Sequence, residues 1–205
     1  MTELDDRART LADPAVRDQR RAMLGLSHMI PLRDYAAALR ESTGLEVPHF
    51  DPLDAGTAAE VLFLFEKPGP MTSEAGRKAG SGFISRDNDD LTAQATHQFM
   101  RRAEIPRKST VIWNVIPAWN GTRKITPAEW HHGLSCVMDL VRLLPHLRAA
   151  VLVGRRAGRA RPALEQAGLA VIESAHPSPI VRASRPERWN AIPAEWARVQ
   201  PYLSP

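Results

Sequence analysis

The chain has a single cysteine, Cys136, in 205 residues. One thiol closes no internal disulfide and falls short of the roughly four thiolates that hold an iron–sulfur cluster. Aromatic residues are sparse at 6%, with 2 tyrosines, and no apolar run reaches the ~18 residues of a membrane-crossing helix. No stretch reads as a secretory signal, so a cytoplasmic location is expected. His132 and Cys136 stand four apart with His131 beside them. No further ligands follow at zinc spacing, so neither metal nor cofactor is expected. Chemistry in this chain falls to ordinary side chains.

What is present is core-forming material and an uneven charge. At 43% hydrophobic, a chain of this length sustains one globular domain. The net charge is +4, but residues 1–100 carry 16 acidic and 11 basic residues, a net −5. Residues 101–205 carry 7 and 16, a net +9. Arginines gather at 155, 156, 159 and 161 and again at 182, 185 and 188. A basic edge of this kind suits a polyanion, although arginines on a solvated helix face give the same pattern.

Residues 1–13 are polar and expected to fray. Helical spacing of apolar residues follows over 14–26 and 31–42, so residues 1–58 read as an N-terminal helical extension of a single domain. Pro48-His49-Phe50-Asp51-Pro52 reads as a loop. Four short apolar runs come next: Val61–Phe65, Thr110–Val115, Ala149–Val153 and Ala170–Ser174. Between them, Leu91–Ala103, Pro127–Leu144 and Ala157–Ala167 are long enough for crossover helices. This alternation predicts a three-layer α/β/α sandwich around a four-stranded, mainly parallel sheet. The ends of the four runs bring Glu66-Lys67-Pro68-Gly69-Pro70, Asn114, Gly154-Arg155 and His176 to one carboxyl edge, where open α/β folds place ligands. Gly154-Arg155-Arg156-Ala157-Gly158 lacks the full dinucleotide fingerprint and reads as a strand-to-helix turn. His176 is followed by prolines at 177 and 179, which fix φ on either side of Ser178 and stiffen the loop.

The ordered set Phe65-Glu66-Lys67-Pro68-Gly69-Pro70, Gly82-Phe83, Trp113-Asn114-Val115 and His176-Pro177-Ser178-Pro179 resembles the uracil-DNA glycosylase superfamily, over about residues 60–182. The resemblance implies a DNA glycosylase that hydrolyses the N-glycosidic bond of uracil or another damaged base, in base excision repair. It implies DNA, with an extruded base, as partner; a monomer is expected. His176 is then a preorganised donor to the O2 oxygen of the departing base, where charge develops. Asn114 offers a donor and an acceptor that match the N3–H and O4 edge of uracil and mismatch cytosine. Phe83 is the plate on which a flipped base stacks, though a lone phenylalanine is otherwise core. Trp113 and Trp119 read as packing. Ile180 takes the place of an apolar wedge, with Arg182 clamping a phosphate. Ser178 either donates to a phosphate or caps a helix.

The first motif departs from the best-known branch, in which an aspartate precedes the proline. Here that residue is Lys67. An ammonium is no base near neutral pH without a large pKa depression, so Glu66, which matches the glutamate of the iron–sulfur branch, is the candidate for handling water. In extended chain the two side chains face opposite ways. Gly69 stands where the uracil-specific enzymes carry a methyl-excluding tyrosine, which leaves the substrate range open; a turn requirement explains a glycine equally well. Two further readings stay open: a catalytically inactive base-binding module, and a lyase in which Lys67 attacks the sugar carbon as a free amine.

Overall fold

The computed structural model describes residues 7–74 and 79–204. In chain order the elements are α1 (Pro14–Ala22), α2 (Ile30–Thr43), β1 (His49–Phe50), β2 (Val61–Phe65), β3 (Phe83–Ile84) and α3 (Leu91–Arg102). They continue with β4 (Thr110–Asn114), α4 (Pro127–Arg142), β5 (Ala149–Val153), α5 (Arg161–Gln166), β6 (Ala170–Ser174), α6 (Pro179–Ser184) and α7 (Pro186–Ala197). Strands β4, β2, β5 and β6 lie in that order in one sheet, with every pair parallel. Helices flank it in an α/β/α arrangement.

The three strands β2, β4 and β5 are apolar and buried almost throughout, as a sheet covered on both faces requires. Asp90 starts α3 by accepting from the amides of Thr92 and Ala93. Thr126 and Glu129 form a reciprocal capping box at α4, which satisfies donors the helix cannot use internally. The chain leaves β2 for β4 on one side and then crosses to β5 on the other. Such a reversal opens a crevice at the carboxyl ends of the strands. Phe65 is level with Asn114, and Val153 with Ser174, at that edge.

The N-terminal segment is part of the core rather than an appendage. Residues 1–6 lie outside the described residues; of the remainder expected to fray, Thr10–Ala12 form a 3-10 turn with Leu11 buried. The Leu11 amide donates to the carbonyl of Asp87 at 3.1 Å. Leu24, Met29, Leu32, Ala36 and Leu39 join the same hydrophobic cluster as the central strands. The expected loop at 48–52 contains β1, which pairs in parallel with β3 and leaves Phe50 stacked on Trp113 at 3.7 Å.

A buried ion network ties this segment to the carboxyl edge. The side chain of Arg20, 2% exposed, reaches Asp51 at 2.6 Å and Asp87 at 2.9 Å. Arg107 reaches Asp51 at 2.6 Å, Asp87 at 2.7 Å and Asp54 at 2.9 Å. Burial opposes the charge on Asp51, yet Arg107 and Arg20 hold its carboxyl below the ordinary range. Burial likewise opposes the charge on Asp87, but the His97 imidazole 3.4 Å away and the Arg107 charge hold it well below that range. Burial lifts Asp54 to about 7, with Asp51 and Asp87 adding to the effect against the pull of Arg107. Three carboxylates crowd these guanidinium groups, and Asp54 is the one whose ionisation burial opposes most effectively.

Candidate functional site

A cavity of about 100 Å³ opens at the carboxyl ends of β2 and β4. Phe65, Lys67, Gly69, Ile84, Arg86 and Asn114 are among its lining residues. Asn114 is buried, and its carboxamide makes no hydrogen bond among the described residues. Its donor and acceptor are left to the cavity, where a ligand with the matching edge can take both. The far wall is the loop Ser85–Asn88, held from behind by the Arg20 and Arg107 bonds to Asp87.

Glu66 and Lys67 do point to different surroundings. The Lys67 side chain, 4% exposed, lines the cavity with its stem. Its ammonium donates to Asn120 Oδ1 at 2.8 Å, the Lys124 carbonyl at 3.0 Å and Glu129 Oε1 at 3.1 Å. All three N–H donors are taken, so the ammonium staples the 120–124 loop to the cavity rim. Glu66 turns the other way and accepts from the Arg156 guanidinium. It does not line the Asn114 cavity.

His176 lies on the other side of the Phe65 ring, which meets the imidazole edge to face at 5.6 Å. The imidazole lines a second, larger cleft of about 710 Å³, together with Arg155, Arg159, Arg185 and Arg188. Burial, reinforced by the charge of Arg123, lowers the His176 pKa to about 4. The ring is therefore neutral at physiological pH and carries one N–H to donate. Gly154 has φ +93, and a Cβ there would stand 3.2 Å from the Cβ of His176. Both the left-handed backbone and the close approach require glycine.

The remaining candidates fall as follows. Phe83 is fully buried beside His49, at 5.8 Å between ring centroids, and does not line the Asn114 cavity. Ile84 lines it instead, because successive residues of β3 face opposite ways; alternation alone leaves open which of the two faces the site. Phe65 is the aromatic ring on the cavity wall, and its place at the end of β2 was the available signal. Gly69 has φ −109, which any residue adopts, and a Cβ there meets nothing within 4 Å. No turn requires this glycine. Ser178 caps α6 by accepting from the Val181 amide. Ile180 is 75% exposed, and the Arg182 guanidinium lies over the Trp189 ring at 5.8 Å. Trp113 is buried packing. His132 and Cys136 touch at 3.6 Å, and among the described residues no group of three or more metal-ligating side chains gathers.

No protein-family model and no curated protein matches the sequence. Among solved structures, one similar chain is a candidate uracil DNA glycosylase from Methanosarcina acetivorans, solved by NMR. It is 19% identical, with a TM-score of 0.43, over 70% of this chain and 92% of that one. A second is a mimivirus UNG variant crystallised in complex with UGI, 16% identical with a TM-score of 0.43, over 82% of this chain and 70% of that one.

Proposed function

We propose that the chain is a DNA glycosylase that hydrolyses the N-glycosidic bond of uracil or another deaminated or damaged base. The observation that carries this reading is the Asn114 carboxamide, without a protein hydrogen-bond partner among the described residues, on the wall of a small cavity at the carboxyl edge of a parallel sheet. A carboxamide in that setting pairs with the donor–acceptor edge of a flipped base, and the wrong base leaves buried polar groups unsatisfied. As the C1′–N bond breaks, its electron pair passes to the base, and the neutral His176 donates its N–H to the oxygen that gains charge. Water adds to C1′ and gives up its proton to Glu66, leaving an abasic site and the free base. This reading requires the His176 loop to advance past the Phe65 ring once DNA is bound, and Glu66 to leave Arg156. The protein acts as a monomer, without metal or cofactor, on DNA in the cytoplasm.

A second reading has its own observation. Glu66 is held by Arg156 and lines no wall of the Asn114 cavity, as suits a module that binds a base without cleaving it. A lyase reading is disfavoured, because every donor of the Lys67 ammonium is occupied and no lone pair faces the cavity. Borohydride trapping on abasic DNA is expected to give no adduct.

The deciding assay uses single- and double-stranded oligonucleotides carrying uracil, hypoxanthine or xanthine, followed by alkali. Scission that disappears in His176→Ala and drops in Glu66→Gln supports hydrolysis. Binding without scission on all of these substrates supports the binding module and ends the glycosylase reading.

A further inference from the structure

Two cavities share the first turn of α3. Asp90, Thr92 and Ala93 stand on the wall of the Asn114 cavity. Leu91, Gln94 and Gln98 face a separate groove of about 160 Å³, closed on its far side by Pro179, Arg182 and Trp189. Gln94 and Gln98 are four apart and therefore share one helix face. Neither carboxamide makes a hydrogen bond among the described residues. Leu91, which lines this groove, is 58% exposed, and Ile180, next in sequence to the lining Pro179, is 75% exposed. A groove with two carboxamides that have no protein partner among the described residues is open to a ligand.

The lining specifies what that is. A flat apolar wall from Pro179, a guanidinium plane over an indole, and two carboxamides along one edge match an object with two apolar faces and a rim of donors and acceptors. That object is a nucleobase: aromatic and arginine planes hold its faces, and amides read its edge. Arg182 belongs to the half of the chain with a net +9, which draws the accompanying phosphates. The two cavities stand one helix apart, about 10–12 Å, a gap that neighbouring nucleotides on an unstacked strand can span.

We infer that this groove is a second base-binding site, taking an unstacked base that neighbours, on the same DNA strand, the base held in the Asn114 cavity. The inference rests on the DNA-glycosylase reading for its substrate class. It predicts that the protein grips the strand at two bases, one on each side of the α3 turn.

The test is a binding cycle on single-stranded oligonucleotides containing one 2′-fluoro-2′-deoxyuridine, which resists hydrolysis. The nucleotide on its 5′ side, or on its 3′ side, is either adenine or an abasic tetrahydrofuran. Wild-type protein is expected to bind the adenine version about tenfold more tightly on one of the two sides, the size of the carboxamide hydrogen bonds to the base edge. The Gln94→Ala/Gln98→Ala protein is expected to lose most of that difference, and Gln98→Ala alone, at an exposed position, part of it. Equal binding of adenine and abasic versions by wild-type protein on both sides overturns the inference without any variant. So does a double variant that discriminates as strongly as wild type. Excision of uracil without base discrimination defeats the groove alone, whereas discrimination without excision keeps the groove and defeats the hydrolytic reading.

Discussion

The Asn114 cavity and the His176 cleft are neighbours at one sheet edge, separated by the ring of Phe65, and they are built on opposite principles. The first is small and braced: Lys67 is tied at three points, and Asp87 behind the far wall is held by the buried Arg20 and the part-buried Arg107. The second is roomy and lined by four arginines around a neutral imidazole. A rigid, partly unsatisfied pocket selects by shape and hydrogen bonds. A broad basic cleft attracts anions with little regard to detail. On the proposed function, base recognition falls to the Asn114 cavity and phosphate capture to the arginine-lined cleft, and His176 has to move to join them.

That contrast is broken most severely from behind the first cavity. Arg20→Met leaves Asp51 and Asp87 short of a buried partner, at an expected cost of about 3–5 kcal/mol, measurable by urea denaturation. The network's contribution is itself pH-dependent. Asp51 and Asp87 are depressed in the fold, so their stabilisation is present above the ordinary carboxylate pKa. It is lost as pH falls through their folded values. The acid side of the stability profile is expected to flatten in Arg20→Met.

Next in size is the loss of recognition. Asn114→Leu keeps the volume of the side chain but removes both hydrogen bonds to the base, and excision of uracil is expected to fall about 10³-fold. A matched thermal midpoint separates this from unfolding. Unchanged excision in a folded Asn114→Leu protein ends the assignment of the cavity to base recognition.

On the other side of Phe65, His176→Ala is expected to lower excision by about 10²–10³-fold, the cost of one donor to a developing anion. The depressed pKa makes a second, sharper check. The imidazole stays neutral until pH approaches about 4, so an acid limb in kcat/KM set by His176 lies near there and not near 6.5. The same shift has a stability sign. Between about 4 and 6.5 the unfolded chain takes up a proton that the folded imidazole refuses, so stability falls as pH falls through this window. His176→Asn removes this imidazole's share of the dependence, while His49, also lowered to about 4, keeps its own.

Much of the scaffold was legible because it rests on local pattern. The runs Val61–Phe65, Ala149–Val153 and Ala170–Ser174 form strands with those bounds, since short runs led by apolar residues between crossover lengths fit a parallel sheet. Glu66 and Lys67 diverge as extended geometry requires. What was hidden depends on partners far apart in the chain. Arg20 reads as one charge among several on a polar helix, and its burial follows from Asp51 and Asp87, which lie 31 and 67 residues away. His49-Phe50 reads as loop because a two-residue strand exists only by virtue of its partner at 83–84. The position of the Phe65 ring between Asn114 and His176 is a matter of side-chain placement, and motif order carries no information about it.

Gly69 gives the smallest effect and the finest distinction. It lines the first cavity in an extended conformation, φ −109 and ψ 175, with open space where a Cβ would stand. Glycine there is required neither by the backbone nor by packing. Gly69→Ala is therefore expected to stabilise the fold by about 0.4–1 kcal/mol, through the lost freedom of the unfolded chain, measurable as a raised urea midpoint. A substitution at Gly154 has the opposite sign, because φ +93 and the nearby His176 Cβ both resist it. If Gly69→Ala raises stability while lowering excision of the bulkier substrates, the glycine is kept for the room it leaves in the cavity. A destabilised Gly69→Ala protein would instead place a steric constraint at this rim and remove Gly69 from the substrate-range argument.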